Sequence, residues 1–164
     1  MSETIKIVLV DDELLFRKGI LFLLEREDNI EVVYEASNGI ELIDFLNQAT
    51  TLPDIVITDL KMPFLDGVEA TKIIHKEFPE IKIIALTSYD SNSFVANMID
   101  MGASSYIVKN ATPQELIKTI TEVARKGFFY NENVMKIIQE DFTTNKNNKK
   151  GITNHFLTNR EVEV

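Results

Sequence analysis

The stretch "IVITDLKMPFLDGVEATKIIHKEF", residues 55–78, decides the fold. It opens on the β-branched run Ile55-Val56-Ile57, meets an acid at Asp59 and a proline at Pro63, then resumes from Val68 to Phe78 with apolar residues at helical spacing. A run that is apolar at every position has no side left for water, so it reads as a strand buried on both faces and followed by a helix. A carboxylate placed directly after such a strand is out of keeping with its surroundings and asks for a chemical reason.

The same order of strand and helix recurs along the chain. Short apolar runs stand at Ile5–Val10, Ile30–Tyr34, Ile81–Leu86 and Tyr106–Val108. Between them, helical spacing links Leu14, Leu15, Ile20, Leu21, Leu23 and Leu24, and then Ile40, Leu42, Ile43 and Leu46 after Asn38-Gly39. Ser91–Met101 and Pro113–Lys126 complete the set of expected helices. Strict alternation predicts a doubly wound α/β fold with a five-stranded parallel sheet covered on both faces. In such sheets the functional groups collect at the carboxyl ends of the strands.

Composition narrows the chemistry. The chain has no cysteine and two histidines, His75 and His155, so thiolate nucleophiles, disulfides and thiolate metal sites are excluded and hard oxygen ligands remain. A formal charge of −9 argues against wholesale nucleic-acid binding by this chain. There is no apolar run of membrane-spanning length, and "MSETIKIVLV" lacks the features of a signal peptide, so a cytoplasmic protein with no membrane association is expected. Glycine-rich phosphate loops of the nucleotide-binding kinds are absent.

Four regions are expected: one α/β domain over residues 1–128, an additional helix over 129–141, a linker over 142–156, and the start of something else over 157–164. The linker is read from the lysine- and asparagine-rich "TTNKNNKKGITNH". In "LTNREVEV", Thr158 and Glu161 form a capping-box pattern, a helix that begins and then stops at Val164. Truncation of a longer protein is the expectation drawn from it.

The parallel-sheet rule brings Asp11-Asp12, after the first strand, to the same edge as Asp59, after the third. Three neighbouring anions repel one another unless a cation neutralises them, and an all-oxygen site of this kind suits Mg²⁺. Thr87-Ser88 after the fourth strand and Lys109 after the fifth add hydroxyls and an ammonium at that edge, able to hold a phosphoryl group. A screened carboxylate can itself attack phosphorus to form an acyl phosphate, and Asp59 is the candidate nucleophile. Each residue also has a plainer reading: Asp12 as a helix cap, Asp59 as a turn residue before Pro63, Lys109 as a surface lysine, Tyr106 as core, and His75 on a solvated helix face.

Taken together, "LVDDE" (9–13), "TDLKMPFLDG" (58–67), "ALTSYD" (85–90) and "SYIVKNA" (105–111) resemble the receiver domain of bacterial two-component response regulators, over about residues 4–128. The resemblance implies a flavodoxin-like sheet of order 2-1-3-4-5. It implies Asp59 as phosphoacceptor, Asp12 as a direct metal ligand, Asp11 as a ligand largely through water, and the Lys61 backbone carbonyl as another ligand. It further implies phosphoryl contacts from Thr87, with Ser88 beside it, and Lys109, a switch in which Tyr106 follows Thr87, and tuning of phosphoryl lifetime by Lys61 and Tyr89. The implied phosphodonor is a sensor histidine kinase, and the implied catalysis is limited to the domain's own aspartate, so the chain is not expected to be an enzyme acting on other substrates.

The tail "LTNREVEV" resembles the opening of a LuxR-type helix-turn-helix domain, which implies a transcription factor that meets DNA only through a part missing from this chain. Helix faces leave a phosphorylation-dependent homodimer open. Two other readings compete with this one. A receiver-like module that never accepts phosphate typically lacks a key residue, whereas Asp11, Asp12, Asp59, Thr87 and Lys109 are all present. An aspartyl phosphatase wants DxDx[TV], whereas Asp59 is followed by Leu60-Lys61 with no second acid.

Overall fold

The computed structural model describes residues 3–88 and 92–130, with backbone alone at 92–95, together with residues 132, 135, 136, 139 and 140. Its elements run β1 (Ile5–Val10), α1 (Leu14–Glu25), β2 (Ile30–Ala36), α2 (Gly39–Gln48), β3 (Ile55–Asp59), α3 (Gly67–Glu77), β4 (Lys82–Thr87), α4 (Asn92–Asp100), β5 (Ser105–Val108) and α5 (Pro113–Lys126). The five strands form one sheet of order β2-β1-β3-β4-β5, with every pair parallel. Tyr89 and residues 141–164, including the expected linker and the Thr158 cap, lie outside the described residues. Of the expected extra helix, positions 132, 135, 136, 139 and 140 have helical backbone.

Side chains of the inner strands β1, β3 and β4 alternate between two apolar layers, which is why these strands are apolar in both directions. Ile5, Ile7 and Leu9 of β1, Ile55 and Ile57 of β3, and Ile84 and Leu86 of β4 pack with Leu24 of α1 and with Leu116, Ile120 and Val123 of α5. Val8 and Val10, Val56 and Ile83 turn the other way, onto Leu42 and Leu46 of α2 and Ala70 and Ile74 of α3. The i, i+4, i+7 spacing on α5 and the i, i+4 pairs on α2 and α3 are the helical stripes that match this pleat. Burying one such residue, for example Ile57, stabilises the fold by about 1.5–3 kcal/mol relative to exposure. Among the described residues a third cluster, Leu60, Ala85, Met98, Ala103 and Tyr106, lies under α4.

Helix ends follow local chemistry. Asn38, Asp66 and Thr112 each accept a hydrogen bond from the backbone N–H three residues on, at Glu41, Glu69 and Glu115, so α2, α3 and α5 start on side-chain caps. Gly127 closes α5 in the left-handed conformation at φ 92, where a side chain is disfavoured. α1 differs: its N-cap is Glu13, with no capping side chain, so the cap reading of Asp12 does not hold. No helix among the described residues is long and apolar enough to cross a membrane.

The strands outrun their apolar runs. β3 continues through Thr58 and Asp59, which pair with Ala85 and Leu86 of β4, and β2 continues to Ala36 opposite Val10. Backbone pairing with a neighbour already in register extends a strand through polar residues that periodicity alone leaves out. Asp59 is therefore the last residue of a central strand and not part of the turn before Pro63.

Candidate functional site

Asp59 is buried at the carboxyl end of β3, 6% exposed. Its Oδ1 accepts from the Leu60 N–H at 2.8 Å, and its backbone carbonyl accepts from the Thr58 hydroxyl at 2.9 Å. The loop after it is held close, with the Gly67 N–H donating to the Leu60 carbonyl at 3.0 Å. A Cβ on Gly67 would lie 2.0 Å from the Asp59 carbonyl oxygen, so glycine is what lets α3 start against the end of β3.

β1 delivers the other acids. Carboxylate oxygens of Asp11, Asp12, Glu13 and Asp59 all lie within 4.8 Å of one another, with Asp11 and Asp59 buried and Asp12 and Glu13 exposed. Asp11 Oδ1 accepts from the Glu13 N–H at 2.8 Å, which fixes the carboxylate at the entry to α1. Desolvation, and then the negative charge of Asp11, push the Asp59 carboxyl above its ordinary range, while Lys109 pulls it partly back.

Lys109 enters from the turn after β5, where its N–H donates to the Thr87 carbonyl at 2.7 Å. Its Nζ lies 2.9 Å from Asp11 Oδ2, 2.7 Å from Glu13 Oε1 and 3.2 Å from Asp59 Oδ2. The Phe16 ring lies beneath, its centroid 4.5 Å from Nζ, adding a cation–π contact. Burial alone would favour a neutral amine, yet the hydrogen bond to Glu13 and the nearby carboxylates of Asp11 and Asp59 raise the Lys109 pKa above its ordinary value. The ammonium therefore persists at physiological pH, and a surface-lysine reading of Lys109 is wrong: its side chain is 9% exposed.

Asp11 Oδ2 sits at ion-pair distance from Lys109 but off the line a hydrogen bond requires. It is the described buried side-chain atom that lacks a hydrogen-bond partner. A buried carboxylate oxygen with unused acceptor capacity, in an all-oxygen cluster of four acids facing one ammonium, fits a hard divalent cation.

The other residues singled out in the sequence are placed as follows. Thr87 is buried at the end of β4 and Ser88 follows it, exposed. Tyr106 is buried on β5, opposite Ala85, in the cluster with Leu60 and Met98. Lys61 is exposed two residues past Asp59, and His75 is exposed on α3. Sequence reasoning missed Glu13, Phe16 and Arg17. The first was visible as the third acid of "DDE", whereas Phe16 and Arg17 looked like ordinary positions of an amphipathic helix.

Comparison with known proteins gives one consistent match. The family model described as response regulator receiver domain matches residues 7–121. The uncharacterized transcriptional regulatory protein YhcZ of Bacillus subtilis (strain 168) is 42% identical over 114 residues, 70% of this chain and 52% of that protein. The transcriptional regulatory protein DegU of Brevibacillus brevis is 31% identical over 176 residues, 98% of this chain and 72% of its own length. The chain thus spans about half of one relative and under three quarters of the other. Among solved structures, a LuxR-family two-component response regulator from Aurantimonas sp. SI85-9A1 superposes with a TM-score of 0.77 at 31% identity, over 86% of this chain and 99% of that one.

Proposed function

This chain belongs to the response regulator receiver domain family, and from that premise we propose that Asp59 takes a phosphoryl group from a phosphohistidine of a sensor histidine kinase and that the change is passed on to control transcription. The observation that carries the reading is the Lys109 ammonium held among Asp11, Glu13 and Asp59 at the carboxyl edge of the sheet.

In the transfer, an Asp59 carboxylate oxygen attacks phosphorus while the phosphorus–nitrogen bond to the donor imidazole breaks. An acyl phosphate forms and the imidazole leaves, taking up a proton. Asp11, Asp12, Asp59 and the Lys61 backbone carbonyl would hold Mg²⁺, supported by the all-oxygen donor set and the unsatisfied Asp11 Oδ2. Bound there, the ion supplies positive charge against the phosphoryl oxygens. Lys109 supplies the second positive charge, and Thr87 and Ser88 supply hydroxyl donors at the end of the neighbouring strand.

A phosphoryl group adds about −1.5 to −2 charges. Drawn toward it, Thr87 moves inward and Tyr106 follows within the cluster under α4. A shift from 1:99 to 99:1 in favour of the new packing needs about 5.5 kcal/mol of differential stabilisation, which charge-assisted bonds to Thr87 and Lys109 contribute in part. The output on this reading is a LuxR-type DNA-binding domain, supported by the resemblance of residues 157–164, with homodimerisation through helix faces. Lys61 and Tyr89 set how long the phosphoryl group survives.

The test is intact-mass measurement after incubation with acetyl phosphate and Mg²⁺. One phosphoryl group is added to the chain, and Asp59→Asn abolishes it. Equal labelling of Asp59→Asn overturns the assignment.

A further inference from the structure

Arg17 lies on α1, one turn after Glu13, with its guanidinium turned inward and the residue 9% exposed. Nη1 donates to the Asp11 backbone carbonyl at 2.6 Å and to Ser37 Oγ at 3.3 Å, and Nε donates to Glu35 Oε1 at 3.0 Å. Glu35, the penultimate residue of β2, also accepts from Lys18 Nζ through its other oxygen at 3.0 Å. The peptide atoms of Asp11 are therefore gripped from both sides, since its N–H donates to the Ala36 carbonyl at 3.0 Å.

We propose that Arg17, oriented by Glu35, is a positioning residue for the cation-holding acids, fixing the Asp11–Asp12 peptide so that both carboxylates face Asp59. This rests on the magnesium reading of the site given above. The carbonyl that Arg17 holds belongs to the peptide linking Asp11 to Asp12, so its tilt sets where the Asp12 side chain leaves the backbone. Glu35 does a second job. A guanidinium free to turn toward the neighbouring acids would compete with a divalent cation for them, and the attachment to Glu35 and the Asp11 carbonyl holds it to the backbone instead. The Lys18 ammonium and the Arg17 guanidinium hold the Glu35 carboxyl below the usual carboxylate range against the opposing effect of burial, so the tether stays charged.

The experiment measures Mg²⁺ affinity of the whole chain by calorimetry, alongside the melting temperature in EDTA, for wild type, Arg17→Gln, Arg17→Lys and Glu35→Gln. Arg17→Gln weakens Mg²⁺ binding by about tenfold, in line with the loss of groups that orient metal ligands. Arg17→Lys, which keeps the charge but cannot bridge the carbonyl and Glu35 at once, recovers part of that loss. A residue that merely supports the fold would lower the melting temperature in EDTA and leave the affinity of the folded protein where it was. If Arg17→Gln does not fold, Glu35→Gln carries the test and binds Mg²⁺ more weakly. Variants that fold and bind as tightly as wild type overturn the inference alone. Absence of Mg²⁺ binding by wild type overturns the magnesium reading, and this inference with it.

Discussion

Lys109 Nζ stands 3.2 Å from Asp59 Oδ2 while reaching Glu13 and Asp11 at 2.7 and 2.9 Å. Three carboxylates thus share one ammonium, and two of them, Asp11 and Asp59, are buried beside each other. With Asp12 also in the cluster, four acids face a single ammonium, so the site is short of positive charge and suited to a cation.

Replacing Lys109 with alanine leaves the buried pair uncompensated. In EDTA the variant is less stable by about 1–3 kcal/mol, below the loss for a fully buried pair because Asp12 and Glu13 are solvated. Millimolar Mg²⁺ restores most of that stability, and labelling by acetyl phosphate slows on the order of a hundredfold. Thermal melts with and without Mg²⁺, together with labelling time courses, check both parts.

Asp59 has a carboxyl pKa raised by burial and by Asp11. For such a group the folded state binds the proton more tightly than the unfolded state, so its favourable contribution is full below the unfolded value of 3.8 and is lost as pH rises through the higher folded value. Asp59→Asn removes that loss. In EDTA it melts several degrees above wild type at pH 7, and the gap closes as pH falls toward 3.8. A gap independent of pH would contradict the assignment of the strain to this carboxyl.

Gly67→Ala brings a methyl within 2.0 Å of the Asp59 carbonyl oxygen, a rigid backbone neighbour. The clash costs about 2–4 kcal/mol and displaces the end of β3. Chemical denaturation should show the loss, and phosphorylation should slow even in the folded fraction.

Tyr106 fills the cluster with Leu60, Ala85, Met98 and Ala103 and is 2% exposed. Tyr106→Ala costs about 3–5 kcal/mol by leaving a cavity, whereas Tyr106→Phe keeps the ring and costs about 1 kcal/mol. Both variants still take up phosphate at Asp59, but in Tyr106→Ala the response of the fold to it is blunted. Amide exchange over α4 and β5, measured with and without phosphodonor, distinguishes the two.

Alternating strand and helix runs made the fold class legible, because a strand apolar at every residue has few architectures open to it. The order of the strands was not legible from periodicity and came with the receiver resemblance, since the order depends on contacts between distant segments. Asp11, Asp12, Asp59 and Lys109 could be placed at one edge because strand ends in a parallel sheet share an edge. Arg17 and Glu35 could not be seen, because one sits on a helix and the other on the outer strand β2, and nothing local joins them. Asp12 as a helix cap failed for a local reason: the N-cap of α1 falls one residue later, at Glu13, and it is Asp11, not Asp12, that accepts from the Glu13 N–H.

The three apolar clusters are unequal. The two on either side of the sheet are built largely from Ile, Val and Leu packed between strands and paired helices, whereas the one under α4 has, among the described residues, five buried members, two of them alanine. Each central strand is wedged between the two larger layers, so a slip of one residue in its register would exchange the two sets of side chains, and the strand ends that bring Asp11 and Asp59 together are held in alignment by that penalty.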